Sequence, residues 1–145
     1  MTHGESPGPD AAMLAAPEAL ARFLESIDES LLDGLFSEDD VTILENFPPH
    51  LFQGQAGLGA WRRLMALHVG KIDQLRHRFG AAQDYAATAD QVFFTLPTIW
   101  TGIRDGASFT EHGGWSFLLV REAGRWRIRA YGWAGDQLPD LNHAP

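Results

Sequence analysis

The sequence has no cysteine. That excludes a disulfide framework and any thiolate metal site, and it fits a reducing, cytoplasmic setting. It has no run of Lys or Arg, and its net charge is -8. Phosphate-backbone binding depends on basic patches, so nucleic acid is not an expected partner. No apolar run approaches the ~20 residues that span a membrane, so no membrane segment is expected. The polar start, Met1 to Asp10, lacks the charged and apolar regions of a signal peptide. No two histidines stand at a metal-binding spacing such as His-x-x-x-His, so a bound metal is not expected. No motif calls for a cofactor.

What is present is an ordinary globular composition, 45% apolar and 21% charged over 145 residues. That length suits one domain. Residues 1–14 and 138–145 read as loose tails, with the domain between them at 15–137.

The most informative stretch is Gly114 to Trp133, which reads as two antiparallel strands around a turn at Glu122-Ala123-Gly124. Trp115, Phe117 and Leu119 alternate with Ser116, Leu118 and Val120, the period of a pleated strand. Both faces of that first strand carry apolar residues. An antiparallel sheet normally wets one face, so helices are expected on one side and a second subunit on the other.

Upstream, Pro17 suits the first turn of a helix, and Glu18 favours its N-terminal dipole. Leu20, Phe23, Leu24, Ile27, Leu31 and Leu35 then recur at spacings of three and four. This predicts an amphipathic helix of about five turns, stopped near Gly34. Val41 to Phe47 reads as a strand whose Val41, Ile43, Glu45 and Phe47 share one face. Pro48-Pro49 interrupts pairing. Ala56 to about Val69 is a second helix, with Trp61, Leu64, Met65 and His68 on one side. Leu75 to Thr88 reads either as two strands or as one with a bulge at Gly80. Gln91 to Ile103 is a long strand, with a bulge or an edge expected at Pro97. Asp105-Gly106 is a hairpin turn. Helices first and a meander after them argue for an α+β fold, a curved antiparallel sheet wrapped around N-terminal helices and leaving a conical cavity.

The helix Ala21-Arg22-Phe23-Leu24-Glu25, the stretch Asp40 to Glu45, Phe52-Gln53-Gly54, and the closing Gly124 to Ile128 with Tyr131-Gly132-Trp133 together resemble the nuclear-transport-factor-2-like superfamily. That superfamily holds ketosteroid isomerases, SnoaL-like cyclases and members without catalysis. The resemblance implies a cystatin-like, cone-shaped barrel and a homodimer. It places Glu45 where ketosteroid isomerases keep a carboxylate general base. Phe23 falls at the place of a hydrogen-bonding tyrosine, and Ser116 near that of a second oxyanion donor.

Glu45 is therefore the leading catalytic candidate, with Ser116 as a donor and His112 at the cavity mouth. The competing reading of Glu45 is a solvated rim carboxylate, and that of His112 a loop residue. Phe23, Trp61, Phe94, Trp100, Tyr131 and Trp133 are candidate wall residues; each could equally be plain core. Tyr131 and Trp133 share a strand face with Arg129 unless a bulge intervenes. Three functions stay open: a cofactor-free isomerase, dehydratase or cyclase acting on a small hydrophobic molecule, a binding protein for such a molecule, or a dimeric interaction module.

Overall fold

The computed structural model describes residues 8–136. Of the expected tails at residues 1–14 and 138–145, residues 1–7 and the whole of 138–145 lie outside that range. Ala11 to Leu14, expected in the first tail, are helical.

The first helix, α1, spans Ala11–Ser26. Asp10 caps it: its backbone is extended and its carboxylate accepts the Met13 N–H at 2.9 Å. Pro17 thus lies inside the helix, not in its first turn. The helix also ends early. Ile27 turns left-handed, at φ 58°, and its N–H closes on Phe23 O. The apolar spacing continues past this point, but Leu31 belongs to a separate 3-10 turn, Glu29–Leu32. Ile27, expected in the core, is 39% exposed.

Strand β1 (Thr42–Leu44) is shorter than the Val41–Phe47 pattern suggests. After Glu45 the chain turns through Pro48-Pro49, with His50 N–H bonded to Phe47 O at 2.8 Å. It returns as β2 (Leu51–Gln53), a strand not foreseen. Helix α2 runs Gly54–Val69 and ends at Gly70, as expected.

The ambiguous stretch resolves into β3 (Ile72–Phe79) and β4 (Gln83–Ala87). Both pair with one strand, β5 (Gln91–Arg104). Pro97 sits where β3 gives way to β4, and its carbonyl accepts the Gly80 N–H at 2.8 Å. Its pairing with the next strand continues without a shift. β6 (Ala107–Glu122) and β7 (Arg125–Gly135) complete the sheet. The turns at Asp105-Gly106 and Ala123-Gly124 place both central residues at positive φ, the geometry that suits a two-residue hairpin.

The sheet order is β2-β1-β7-β6-β5-β3, with β4 beside β5. It is an α+β architecture, but the sheet is mixed, since β1 runs parallel to β7. It curves around the helices without closing into a barrel. The concave face and the helices bury Trp61, Trp115, Phe23, Phe94 and Phe117. His77, which shows no partner in the sequence, ties β3 to α1: its backbone N–H and ring Nδ1 both meet Glu25 Oε2, at 2.7 and 2.6 Å.

One irregularity decides the last strand. Leu118 pairs with Ala130, but Leu119 pairs with Ile128, so Arg129 is an extra residue in β7. The bulge puts Ile128 and Tyr131 on the same buried face. Arg129 does not share that face with Tyr131; it pairs with Asp40 at 3.1 Å.

Candidate active site around Glu45

Val41 and Ile43 point into the core, and the alternation carries Glu45 inward after them. Glu45 is 8% exposed. Its N–H bonds His50 O at 2.9 Å, so the turn that follows holds it in place. The parallel register sets Ile43 opposite Tyr131. With the bulge behind it, Tyr131 turns inward and its hydroxyl donates to Glu45 Oε2. From α2, the Trp61 indole N–H reaches the same oxygen at 3.5 Å, a long contact. Two strands and a helix therefore converge on one carboxyl group.

Burial pushes the Glu45 pKa from 4.5 up to about 7. The hydrogen bonds from Tyr131, Trp61 and the Asn46 backbone oppose the rise without cancelling it, and the negative charge of Glu111 adds to it. Burial, followed by the Glu45 charge, raises the Tyr131 phenol well above its ordinary value. Tyr131 stays a donor, and Glu45 exchanges a proton near neutral pH.

Glu45 faces a cavity of about 160 Å³, the size class that holds a single aromatic ring. Its apolar walls include Phe47, Met65, Trp100, Phe109, Trp115 and Trp133. Asn46, His68, Arg104 and Glu111 add polar groups. Gly113 leaves room for Trp133, whose ring would collide with a Cβ at that position. Among the described residues, no group of three or more His, Asp or Glu is placed to hold a metal ion.

Three of the expected site residues line this pocket: Glu45, Trp100 and Trp133. Trp61 and Tyr131 lie behind it and hold Glu45. Phe23 packs on Trp61 at 5.9 Å and Phe94 on Phe117 at 6.1 Å; both are core. Ser116 and His112 alternate with Trp115 and so occupy the opposite, convex face. Ser116 bonds the Thr95 hydroxyl there at 2.8 Å, and His112 is exposed. Neither reaches Glu45.

Sequence reasoning missed His68, Arg104 and Glu111 as pocket groups. The signal for His68 was present, since it shares the apolar side of α2 with Trp61 and Met65. Arg104 and Glu111 meet the pocket only through the β5–β6 register, in which Trp100 stands opposite Glu111.

No family model matches the sequence, and no curated protein matches it. Solved structures do. A LinA-type3 hexachlorocyclohexane dehydrochlorinase from Novosphingobium barchaimii superposes with a TM-score of 0.73 at 13% identity, over 92% of this chain and 90% of the other. A ketosteroid isomerase-like protein from Erwinia carotovora gives 0.68 at 17% identity, over 88% and 95%. A nuclear-transport-factor-2-like protein from Salmonella enterica gives 0.69 at 12% identity, over 90% and 92%. The chain has the nuclear-transport-factor-2-like fold. At these identities the likeness speaks for the fold alone, and function has to be argued from the site.

Proposed function

We propose that the chain is a cytoplasmic, cofactor-free enzyme in which Glu45 removes a proton from a small apolar or aromatic molecule. The reaction belongs to the isomerase, dehydratase or cyclase class. One observation carries this reading: a carboxyl with a pKa of about 7 faces a cavity walled by aromatic rings. A base poised near the working pH is suited to proton transfer. The dehydrochlorinase and the ketosteroid isomerase-like protein on the same fold are consistent with such a role.

Titration of Glu45 by carboxyl-detected NMR tests the premise, and an ordinary glutamate pKa removes it. A screen for solvent deuterium entering small carbon acids, with Glu45→Gln as control, tests the chemistry. Exchange that persists in Glu45→Gln would take the role of base from Glu45, and no exchange in the parent would leave the protein a binding module.

A homodimer through the convex face is part of the proposal. Leu44 is 52% exposed and Phe93 38% exposed on that face, and Leu118 and Val120 are only partly covered.

A further inference from the structure

His77 pairs with Trp100 across β3 and β5, so it shares the concave face with that residue. Its nearly buried ring lies against the Phe79 ring at 4.8 Å and the Trp100 ring at 5.6 Å. Both ring nitrogens meet carboxylates of α1. Nδ1 is 2.6 Å from Glu25 Oε2, which also accepts the His77 backbone N–H at 2.7 Å. Nε2 is 3.1 Å from Glu18 Oε2. Glu18 and Glu25 stand two helical turns apart on one face of α1, and Arg22 lies between them there, exposed to solvent. Arg76 and Arg78, the neighbours of His77 in β3, alternate to the opposite face. From β5 the ring meets Trp100.

A neutral imidazole carries one N–H and one bare nitrogen. It can donate to one of these carboxylates, and it then turns a lone pair on the other. The imidazolium, with two N–H groups, satisfies both contacts. Loss of one proton therefore releases one glutamate. The two arms are unequal. Glu25 is mostly buried, and its contact is the shorter and is shared with the backbone N–H. Glu18 is half exposed and holds the ring through Nε2 alone. The Glu18 arm is the one that opens.

Pro17, just before Glu18, has no N–H to return to Met13 O, so α1 lacks one of its backbone bonds there. The first turns of the helix lie over an apolar hollow of about 640 Å³. Leu14, Ala15 and Glu18 line it from the helix, and Phe79, Ala82 and Leu96 from the sheet. Among the described residues, two side-chain bonds join these turns to the sheet. One is the Glu18–His77 contact; the other is a weak bond from the Tyr85 hydroxyl to Met13 Sδ at 3.9 Å. We propose that His77 is a pH-operated latch on α1. As imidazolium it ties both halves of the helix to β3. When pH rises and Nε2 loses its hydrogen, Nδ1 keeps Glu25, Glu18 is let go, and residues 11–18 loosen over the hollow. The two carboxylates favour the closed, charged state, and Arg22 works against it. The latch does not depend on Glu45 being a base.

The test follows the His77 ring nitrogens by nitrogen-15 NMR and the α1 amides by hydrogen exchange, from about pH 5 to about pH 9, which brackets the range in which imidazoles change charge. Protection of residues 14–18 is read relative to residues 20–25 of the same helix. That ratio cancels any change in global stability, including one from Glu45. In the parent both nitrogens should carry hydrogen at the acid end, and Nε2 should lose its hydrogen while Nδ1 keeps one. Relative protection of residues 14–18 should fall about tenfold with it, the scale of one charge-assisted hydrogen bond. In Glu18→Gln the ratio should change less than about twofold, because an amide can accept from Nε2–H or donate to a bare Nε2. His77→Phe keeps a ring against Trp100 and Phe79 and removes both arms. Its ratio should be low at every pH. The latch is overturned by a parent ring that holds one N–H, or two, throughout, or by loss of the hydrogen from Nδ1 in place of Nε2. A Glu18→Gln profile parallel to that of the parent overturns it too, as does a His77→Phe ratio equal to the parent's at the acid end. Should His77→Phe fail to fold, Glu18→Gln and the ring nitrogens still decide.

Discussion

The Tyr131 hydroxyl donates to Glu45 Oε2 from the strand that runs parallel to β1. This one bond holds the carboxyl's direction and restrains its pKa, while burial drives that pKa upward. Removing the donor and removing the acid should therefore have opposite signatures.

Tyr131→Phe should raise the Glu45 pKa above its value of about 7, because a bond that lowers it is gone while burial remains. Losing this buried bond should also cost about 1–3 kcal/mol of stability. Carboxyl NMR and urea unfolding measure the two effects. A Glu45 pKa that falls in this variant contradicts the assigned hydrogen bond.

Glu45→Gln should abolish turnover and leave the protein more stable than the parent at alkaline pH. The folded pKa is raised from 4.5 to about 7. The protonated acid is thus the form that folding favours. Its stabilisation is full below the unfolded pKa and is lost as pH rises through the folded one. The loss is about 3 kcal/mol at ~1.4 kcal/mol per pH unit. Parent and variant should match near pH 4 and differ most above pH 8 in thermal or urea melts. Parallel curves across that range would mean that Glu45 titrates normally.

Ser116→Ala should leave the Glu45 titration, and any turnover, as in the parent. Its hydroxyl bonds Thr95 on the convex face, away from the pocket. The expected stability cost is about 1 kcal/mol for one partly buried hydrogen bond. A large effect on rate would return Ser116 to the site.

Leu20→Ala should cost about 2–5 kcal/mol, because Leu20 is fully buried at 0% exposure. Ile27→Asp should cost far less, since Ile27 is 39% exposed just past the end of α1. Denaturant unfolding of both variants checks the helix boundary. Equal losses would restore the longer helix suggested by the apolar spacing.

Phe93→Lys or Leu44→Lys should convert the proposed homodimer to monomer in sedimentation at micromolar concentration, with the circular dichroism unchanged. Both side chains are exposed on the convex face. A parent that sediments as a monomer removes the interface altogether.

Local pattern by itself determined the α+β class, the second helix, the long strand from Gln91 and both hairpin turns, whereas which face of Trp115 to Val120 points inward was left open, since both faces are apolar. Each rests on neighbours in the chain: a period of two or of three to four, or a turn residue at a positive φ. The same pattern pointed Glu45 inward, since Val41 and Ile43 precede it at alternate positions. It misjudged α1, where Asp10 supplies an N-cap ten residues ahead of Leu20, the first residue of the apolar repeat, and Ile27 breaks the helix in a left-handed turn. Tertiary structure decided the site. Arg129 bulges out of β7, a shift invisible to local spacing, and only that shift turns Tyr131 towards Glu45. The β5–β6 register brings Trp100 and Glu111 to one wall and carries Ser116 and His112 to the other face. The Glu45 pKa follows from these placements, because desolvation depends on what packs around a carboxyl in space and not on its neighbours in the chain.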